Sequence, residues 1–290
     1  MRLTVKFNLV FVTVFLLGML VAGGLTYRLL QKNARNEVLQ NAGIMMEAAL
    51  AQRQYTVEQV TPLLQVQLRY TFLPQSVSAY AATETFNIVH KEYPDFSYKE
   101  AALNPTNPRD RAVAWEEDIL RQFRDGLAKD EIIGERETPT GGSLFLARPI
   151  QIKNPACLKC HTLPSDAPET MIAQYGPSNG FGWKLNEIVA AQIVSVPTAV
   201  ARTQAMHAFQ VFMLSLAGVF LFIFIALNLM LRFIVIRPVT KLAALADRVS
   251  LGEVDLPEFE TSGRDEIGKL AASFGRMRKS LERAMKMLEE

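Results

Sequence analysis

The chain has 290 residues, 49% of them hydrophobic and 21% charged, with 31 basic against 29 acidic residues and a formal net charge of +2. That length points to about two domains, and a balanced charge with no basic arm argues against a nucleic-acid partner. Two cysteines in the whole chain argue against a disulfide-stapled secreted module, which needs many pairs.

The first element is apolar. Phe7 to Tyr27 carries no charge and is about as long as one crossing of the hydrocarbon core. Arg2 and Lys6 precede it; Arg28, Lys32 and Arg35 follow. A signal peptide also sits at an N-terminus. This run is longer than a usual signal core, and only Ala22-Gly23-Gly24 offers a small-residue cleavage site. The expectation is an uncleaved anchor over residues 7–29, behind a cytoplasmic residues 1–6.

A long helix is expected from Asn33 to about Gln67, with Met46, Leu50, Arg53, Val57 and Val60 near one face. Pro62 ends or kinks it, because proline removes a donor and crowds the preceding turn. Tyr80 to His90 reads as a second helix, stopping before Tyr93-Pro94. Phe96 to Leu103 reads as a strand. Asn104-Pro105 and Asn107-Pro108 mark a loop, since a residue before proline avoids helical angles. Asp110 or Asn107 then caps a helix from Arg111 to Gly126, with Trp115 and Leu120 inward. Gly134 to Gly142 holds turn residues, and Leu144 to Ile152 alternates as a strand. Gly176-Pro177 and Gly180-Phe181-Gly182-Trp183 form a loop, with Trp183 as a packing wall. Ile188 to Val196 closes the domain as a strand. The pattern is α+β, over residues 30–206.

Within that segment lies Asn154-Pro155-Ala156-Cys157-Leu158-Lys159-Cys160-His161. Cys-x-x-Cys-His is the attachment signature of c-type haem. Two thiols three positions apart can each take one vinyl group of the porphyrin, and the adjacent histidine then supplies the proximal imidazole. A thioredoxin-like dithiol has no such histidine requirement. A zinc site needs two more ligands; there is no other cysteine, and the only other histidines are His90 and His207. Cys157, Cys160 and His161 are therefore the expected haem c site, with His161 on the iron. For the second axial position Met46 ranks first, then Met45 and His90. Met171 follows the motif in a short loop, and His207 and Met206 adjoin the next apolar segment. Such a helix methionine also serves as core filler, and His90 also reads as a surface or capping histidine. Arg53, on the face of Met46, pairs with a haem propionate or is simply solvated.

Ala208 to Leu231 is the second uncharged apolar run, a span expected over residues 207–231. Arg232, Arg237 and Lys241 follow, which puts the C-terminal side in the cytoplasm. Residues 30–206 then face the periplasm of a multi-pass bacterial inner-membrane protein in contact with lipid. The outer side is also where haem c is assembled.

The tail, residues 232–290, opens with Arg237-Pro238. Leu242, Leu245 and Val249 form one amphipathic stripe, which Gly252 ends. Val254, Leu256 and Phe259 lie in a connector from Glu253 to Gly263. Asp265-Glu266-Ile267-Gly268 opens a second helix with Ile267, Leu270, Phe274, Met277, Leu281 and Leu288 in heptad register. This resembles a HAMP domain; a plain juxtamembrane coiled coil is the competing reading. The resemblance implies a parallel four-helix bundle, and two helices that cannot bury their stripes alone imply a homodimer.

The outer segment also resembles a family. Tyr55-Thr56, Tyr98-Lys99-Glu100-Ala101, Asn104-Pro105-Thr106-Asn107-Pro108, Pro149-Ile150, Cys157 to His161 and Phe181-Gly182-Trp183-Lys184 look like the PAS-like c-type haem family of bacterial receptors and free-standing haem proteins. The likeness covers nearly all of residues 35–200. It implies a five-stranded antiparallel PAS-like sheet and a second iron ligand from the N-terminal helix. That ligand is a cysteine in at least one relative; no cysteine stands in this helix, and Met46 is the natural substitute. The implied function is a receptor, not an enzyme. It senses redox state or a diatomic gas (NO, CO or O2) and relays the change through HAMP. With the chain ending at Glu290, the output falls to a separate cytoplasmic signalling protein. The alternative is a membrane-anchored periplasmic electron-transfer cytochrome serving a redox partner, which has no use for a HAMP module. A haem enzyme such as a peroxidase needs distal acid–base groups, and the sequence places none.

Overall fold

The computed structural model describes residues 3–139, 141–253, 257 and 265–289. They form two compact units, Thr26–Phe209 and the pair Met1–Leu25 with Gln210–Glu290.

Helix α1 is one element, Leu3–Tyr55. Within the first unit its buried side chains are Ala34, Val38, Ala42, Met46 and Ala49, spaced by three or four so that they share one face. The helix widens to a π-turn over Thr56–Val60. Pro62 has no N–H to continue the ladder. Beside it, the Thr61 hydroxyl lies within donating distance of the carbonyls of Thr56 (2.9 Å) and Ser76 (2.8 Å). The turn α2 (Thr61–Leu63) and helix α3 (Ser78–Glu92) follow. Strand β1 (Ser97–Ala102), helix α4 (Ala114–Arg124) and strands β2 (Ile132–Thr138) and β3 (Gly141–Gln151) come next. Between β3 and the last strand lie α5 (Leu158–His161) and α6 (Glu169–Tyr175). Strand β4 is Ile188–Pro197, and α7 (Ala199–Met230) leaves the unit.

The sheet order is β1-β4-β3-β2, antiparallel throughout. One face sets Tyr98, Leu144, Leu146, Val194 and Val196 in a single core with the α1 stripe and with Ala82 and Phe86 of α3. The other face sets Ala101, Ala147, Ala191 and Ile193 against Ile119, Leu120 and Phe123 of α4. This two-sided packing is the α+β architecture expected from the element order.

Several local expectations are corrected. The described residues hold four strands, not five. Gly134 to Gly142, read as turn residues, belongs largely to strands, β2 running to Thr138 and β3 starting at Gly141: a Cβ on Gly134 would stand 2.4 Å from the Phe145 ring, so the glycine makes room for an aromatic. Asn107 caps only the 3-10 turn Pro108–Asp110. Helix α4 starts later, at Ala114, where Glu116 reaches back to accept from the Val113 N–H at 2.9 Å.

In the second unit, α1 and α7 pack antiparallel. Phe15 meets Phe220 at 4.0 Å between ring centres and Phe11 meets Phe224 at 5.4 Å, while Met213 covers Gly23. Both helices are long and apolar enough to cross a membrane, with mean hydropathies of 2.4 and 2.7 over their most apolar stretches. A π-turn, Leu231–Ile236, precedes α8 (Arg237–Ser250). Helix α9 (Glu266–Glu289) starts where the Asp265 carboxylate accepts from the Gly268 N–H at 2.8 Å. Leu242 and Ala271 are buried where α8 and α9 meet. Val254, Leu256, Phe259 and the side chain of Leu288 lie outside the described residues.

Candidate haem site

The Cys-x-x-Cys-His segment is a compact helical turn. Asn154 opens it, its side chain accepting from the Ala156 N–H at 2.9 Å, and Pro155 supplies a preset first-turn angle. The helical path continues through α5 to His161. Cys157 is exposed and Cys160 half-buried, both as free thiols. Burial and the neighbouring Cys157 push the Cys160 thiol up, against a smaller opposing pull from Lys159.

His161 is oriented on two sides. Its Nδ1 lies 2.7 Å from the Gly180 carbonyl, which makes Nδ1 the donor and leaves Nε2 with a free lone pair. Its ring lies flat on Trp183, 3.9 Å between centres and 11° between planes. Burial lowers the His161 pKa, while the Gly180 contact raises it by less, so the imidazole is held neutral, as a metal ligand must be. The same loop is tied to the motif by backbone bonds from Gly182 N–H to Thr162 (3.0 Å) and Trp183 N–H to His161 (3.2 Å).

Gly180 cannot be another residue. Its φ is +83°, and a Cβ there would stand 2.0 Å from the Thr106 hydroxyl and 2.8 Å from the Thr106 Cα, a backbone atom that cannot yield. Asn104 clamps this approach, accepting from the Gly180 N–H at 3.2 Å and donating to the Phe181 carbonyl at 3.4 Å. Asn104, Thr106 and Gly180 were legible only as loop residues. The close approach of two distant loops leaves no spacing pattern, and the cluster of glycines at 176, 180 and 182 was the one available signal.

Leu158 and Trp183 pack on a small cluster of Ala102, Ile152, Val189 and Ala190. The structure thus brings together Cys157, Cys160, His161 and Trp183. Met46 lies elsewhere: it is fully buried in the larger core of α1, α3 and the sheet, with Met45 beside it. Met171 is buried on α6. His90 is exposed, with Nδ1 2.8 Å from the Phe96 carbonyl, which is the surface reading of that residue. His207 is exposed on α7.

Arg53 is not simply solvated. It forms an ion pair with Glu100, which is 6% exposed. Glu100 also accepts from the Tyr98 hydroxyl at 2.6 Å, and Gln192 donates to that hydroxyl at 2.9 Å. Burial works against the Arg53 charge, but Glu100 outweighs it and raises the Arg53 pKa, with a smaller contribution from Cys157. Burial and the Glu100 carboxylate together push the Tyr98 phenol up.

These residues fit a covalently held haem. The thiols are unpaired and reachable, the histidine presents Nε2, and an indole fixes its plane.

A family model described as Tll0287-like matches residues 31–197, and a HAMP domain model matches residues 230–283. Both parts of the resemblance drawn from the sequence are thereby borne out. No protein with a curated description matches the chain. Among solved structures, the crystal structure of the cyanobacterial heme-protein Tll0287 is similar at 14% identity and a TM-score of 0.42, over 56% of this chain and 95% of that one. The chain belongs to the Tll0287-like family, and a HAMP domain follows its second apolar helix.

Proposed function

We propose that this protein is a membrane receptor whose Tll0287-like domain faces the periplasm and carries one c-type haem, joined through thioethers to Cys157 and Cys160 and ligated by His161. A single observation carries the reading: His161 has Nδ1 committed to the Gly180 carbonyl and its ring set on Trp183, beside two free thiols at haem-c spacing. The family match over residues 31–197 supports it, the Tll0287 that gives the family its description being a heme-protein. When bound, the haem would supply an iron centre that changes redox state or binds a diatomic gas.

The chain's own residues do the rest. Gly180 and Trp183 keep the imidazole in one tautomer and one plane. Arg53 has one nitrogen on Glu100 and further donors in its planar fork for a propionate. Met46, from the sequence, stays the proposed second axial ligand and needs a test of its own, given its place in the core. The HAMP match supports a signalling role over electron transfer. A homodimer would bury the α8 and α9 stripes, and the HAMP domain would pass the signal to a downstream partner.

The test is intact-mass analysis and absorption spectroscopy of the full chain made in a host that installs haem c. The expected result is one added porphyrin, lost in the variant Cys157→Ala/Cys160→Ala. A chain with no added mass overturns the proposal. CO or NO binding to the reduced protein then assigns gas sensing; a six-coordinate spectrum indifferent to both assigns redox sensing.

A further inference from the structure

Helix α4 covers only part of its face of the sheet. Beside its first turn, the buried Ser195 and Ile193 of β4 lie at the bottom of a cavity of about 390 Å³. That volume lies within the range of small-molecule sites. The haem motif residues are not among its lining.

Its walls are built from charges in an uneven arrangement. Three cations and two carboxylates line it. Lys99 is taken by Glu116, with Nζ to Oε2 at 2.7 Å. Arg109 is taken by Glu84 and by Asp110. Arg136 makes no ion pair among the described residues, and its Nε is buried with no hydrogen-bond partner. Arg136 is thus the cation of this lining whose charge is left without an ion-pair partner among the described residues.

Arg136 is also held in position. Its guanidinium lies 4.2 Å over the Trp115 ring, and Trp115 packs on Phe145 at 5.4 Å. Phe145 in turn occupies the space left by Gly134 on the strand that carries Arg136. A stack of this kind fixes the planar fork. Beside it Trp115, Val113 and Ile193 offer apolar surface, and the lining keeps one surplus positive charge.

We propose that this cavity binds a small organic carboxylate, its oxygens on the Arg136 fork and its apolar part against Trp115 and Ile193. A fork fixed in plane selects a planar two-oxygen anion, and the apolar wall beside it selects a body larger than formate. The site is independent of the haem, and its outcome leaves the haem reading untouched.

The test is calorimetric titration of the full haem-loaded chain in detergent with benzoate, and with neutral benzamide of the same shape. Saturable benzoate binding is expected, with benzamide binding at least about tenfold weaker, the worth of a charge-assisted bond. Arg136→Gln should weaken benzoate by a similar factor, and Arg136→Lys, which keeps charge without the fork, by less. Ser195→Leu, filling the floor, should abolish binding while the haem spectrum reports an intact domain. No saturable benzoate binding up to about 10 mM, equal binding of benzamide, or an Arg136→Gln variant that binds as the wild type does, each overturns the proposal.

Discussion

Replacing Arg53 with methionine should destabilise the Tll0287-like domain more than any surface change. The substitution keeps most of the side-chain volume but strands Glu100, a carboxylate with 6% exposure whose remaining partner is the Tyr98 hydroxyl. Removing one partner of a buried pair costs about 3–5 kcal/mol. A domain of this size shifts its midpoint by about 2–4 °C per kcal/mol, so a fall of roughly 10 °C is expected. Glu100→Gln keeps an acceptor for Tyr98 and should cost about 1–2 kcal/mol. The double variant Arg53→Met/Glu100→Gln strands no charge and should sit near the Glu100→Gln single, a coupling as large as the Arg53→Met loss itself, about 3–5 kcal/mol. Both tryptophans, Trp115 and Trp183, lie in this unit, so tryptophan emission of the intact chain follows its unfolding alone. An Arg53→Met variant within about 0.5 kcal/mol of wild type, or strictly additive losses, would refute the buried-pair argument.

Further outcomes follow from the same geometry. Gly180→Ala places a Cβ on the Thr106 backbone at positive φ; a loss of at least about 2 kcal/mol is expected, with a changed haem spectrum as His161 loses its fixed orientation, whereas a normal melt and spectrum would show that the loop yields. Met46→Ala should cost about 2–5 kcal/mol, because the side chain is fully buried. If its oxidised spectrum matches wild type, Met46 is packing only; an altered spectrum with retained fold makes it the ligand. Asp110 gives a pH signature. Burial lifts its carboxyl from 3.8 to about 6, against the pull of Arg109. The folded state then holds a proton that the unfolded chain releases, so stability falls as pH rises from about 4 to 6 and is level above. Asp110→Asn should remove that slope and gain about 1–2 kcal/mol at pH 8, discounted for partial exposure; an unchanged slope between pH 4 and 6 would contradict the assignment.

The haem motif, the two apolar helices and the HAMP stripes were legible because each is written in local spacing. So was the helix–strand order of the outer domain. What sequence missed depends on contacts between distant positions. Gly134 reads as a turn residue until Phe145 is seen to need its space. Arg53 reads as solvated or propionate-binding, and no spacing in the sequence reveals that β1 delivers Glu100 to it. Met46 keeps the same helical face as Arg53, as expected from the 3.6 period. A shared face, however, does not say which part of the domain each position meets. The clamp of Asn104 and Thr106 on Gly180 joins segments over seventy residues apart, beyond any periodicity argument.

The alanine-rich face of α1 has a consequence for motion along its axis. Ala34, Ala42 and Ala49 present no knobs to the sheet, so they offer little resistance to sliding. Resistance comes from five side chains: Arg35 bound to Glu135 at 3.0 Å, Val38 and Met46 sunk in the core, Glu47 bound to Arg148 at 2.7 Å, and Arg53 bound to Glu100. Met46, Glu47 and Arg53 fall within two helical turns. A piston-like displacement of this helix must release these contacts first.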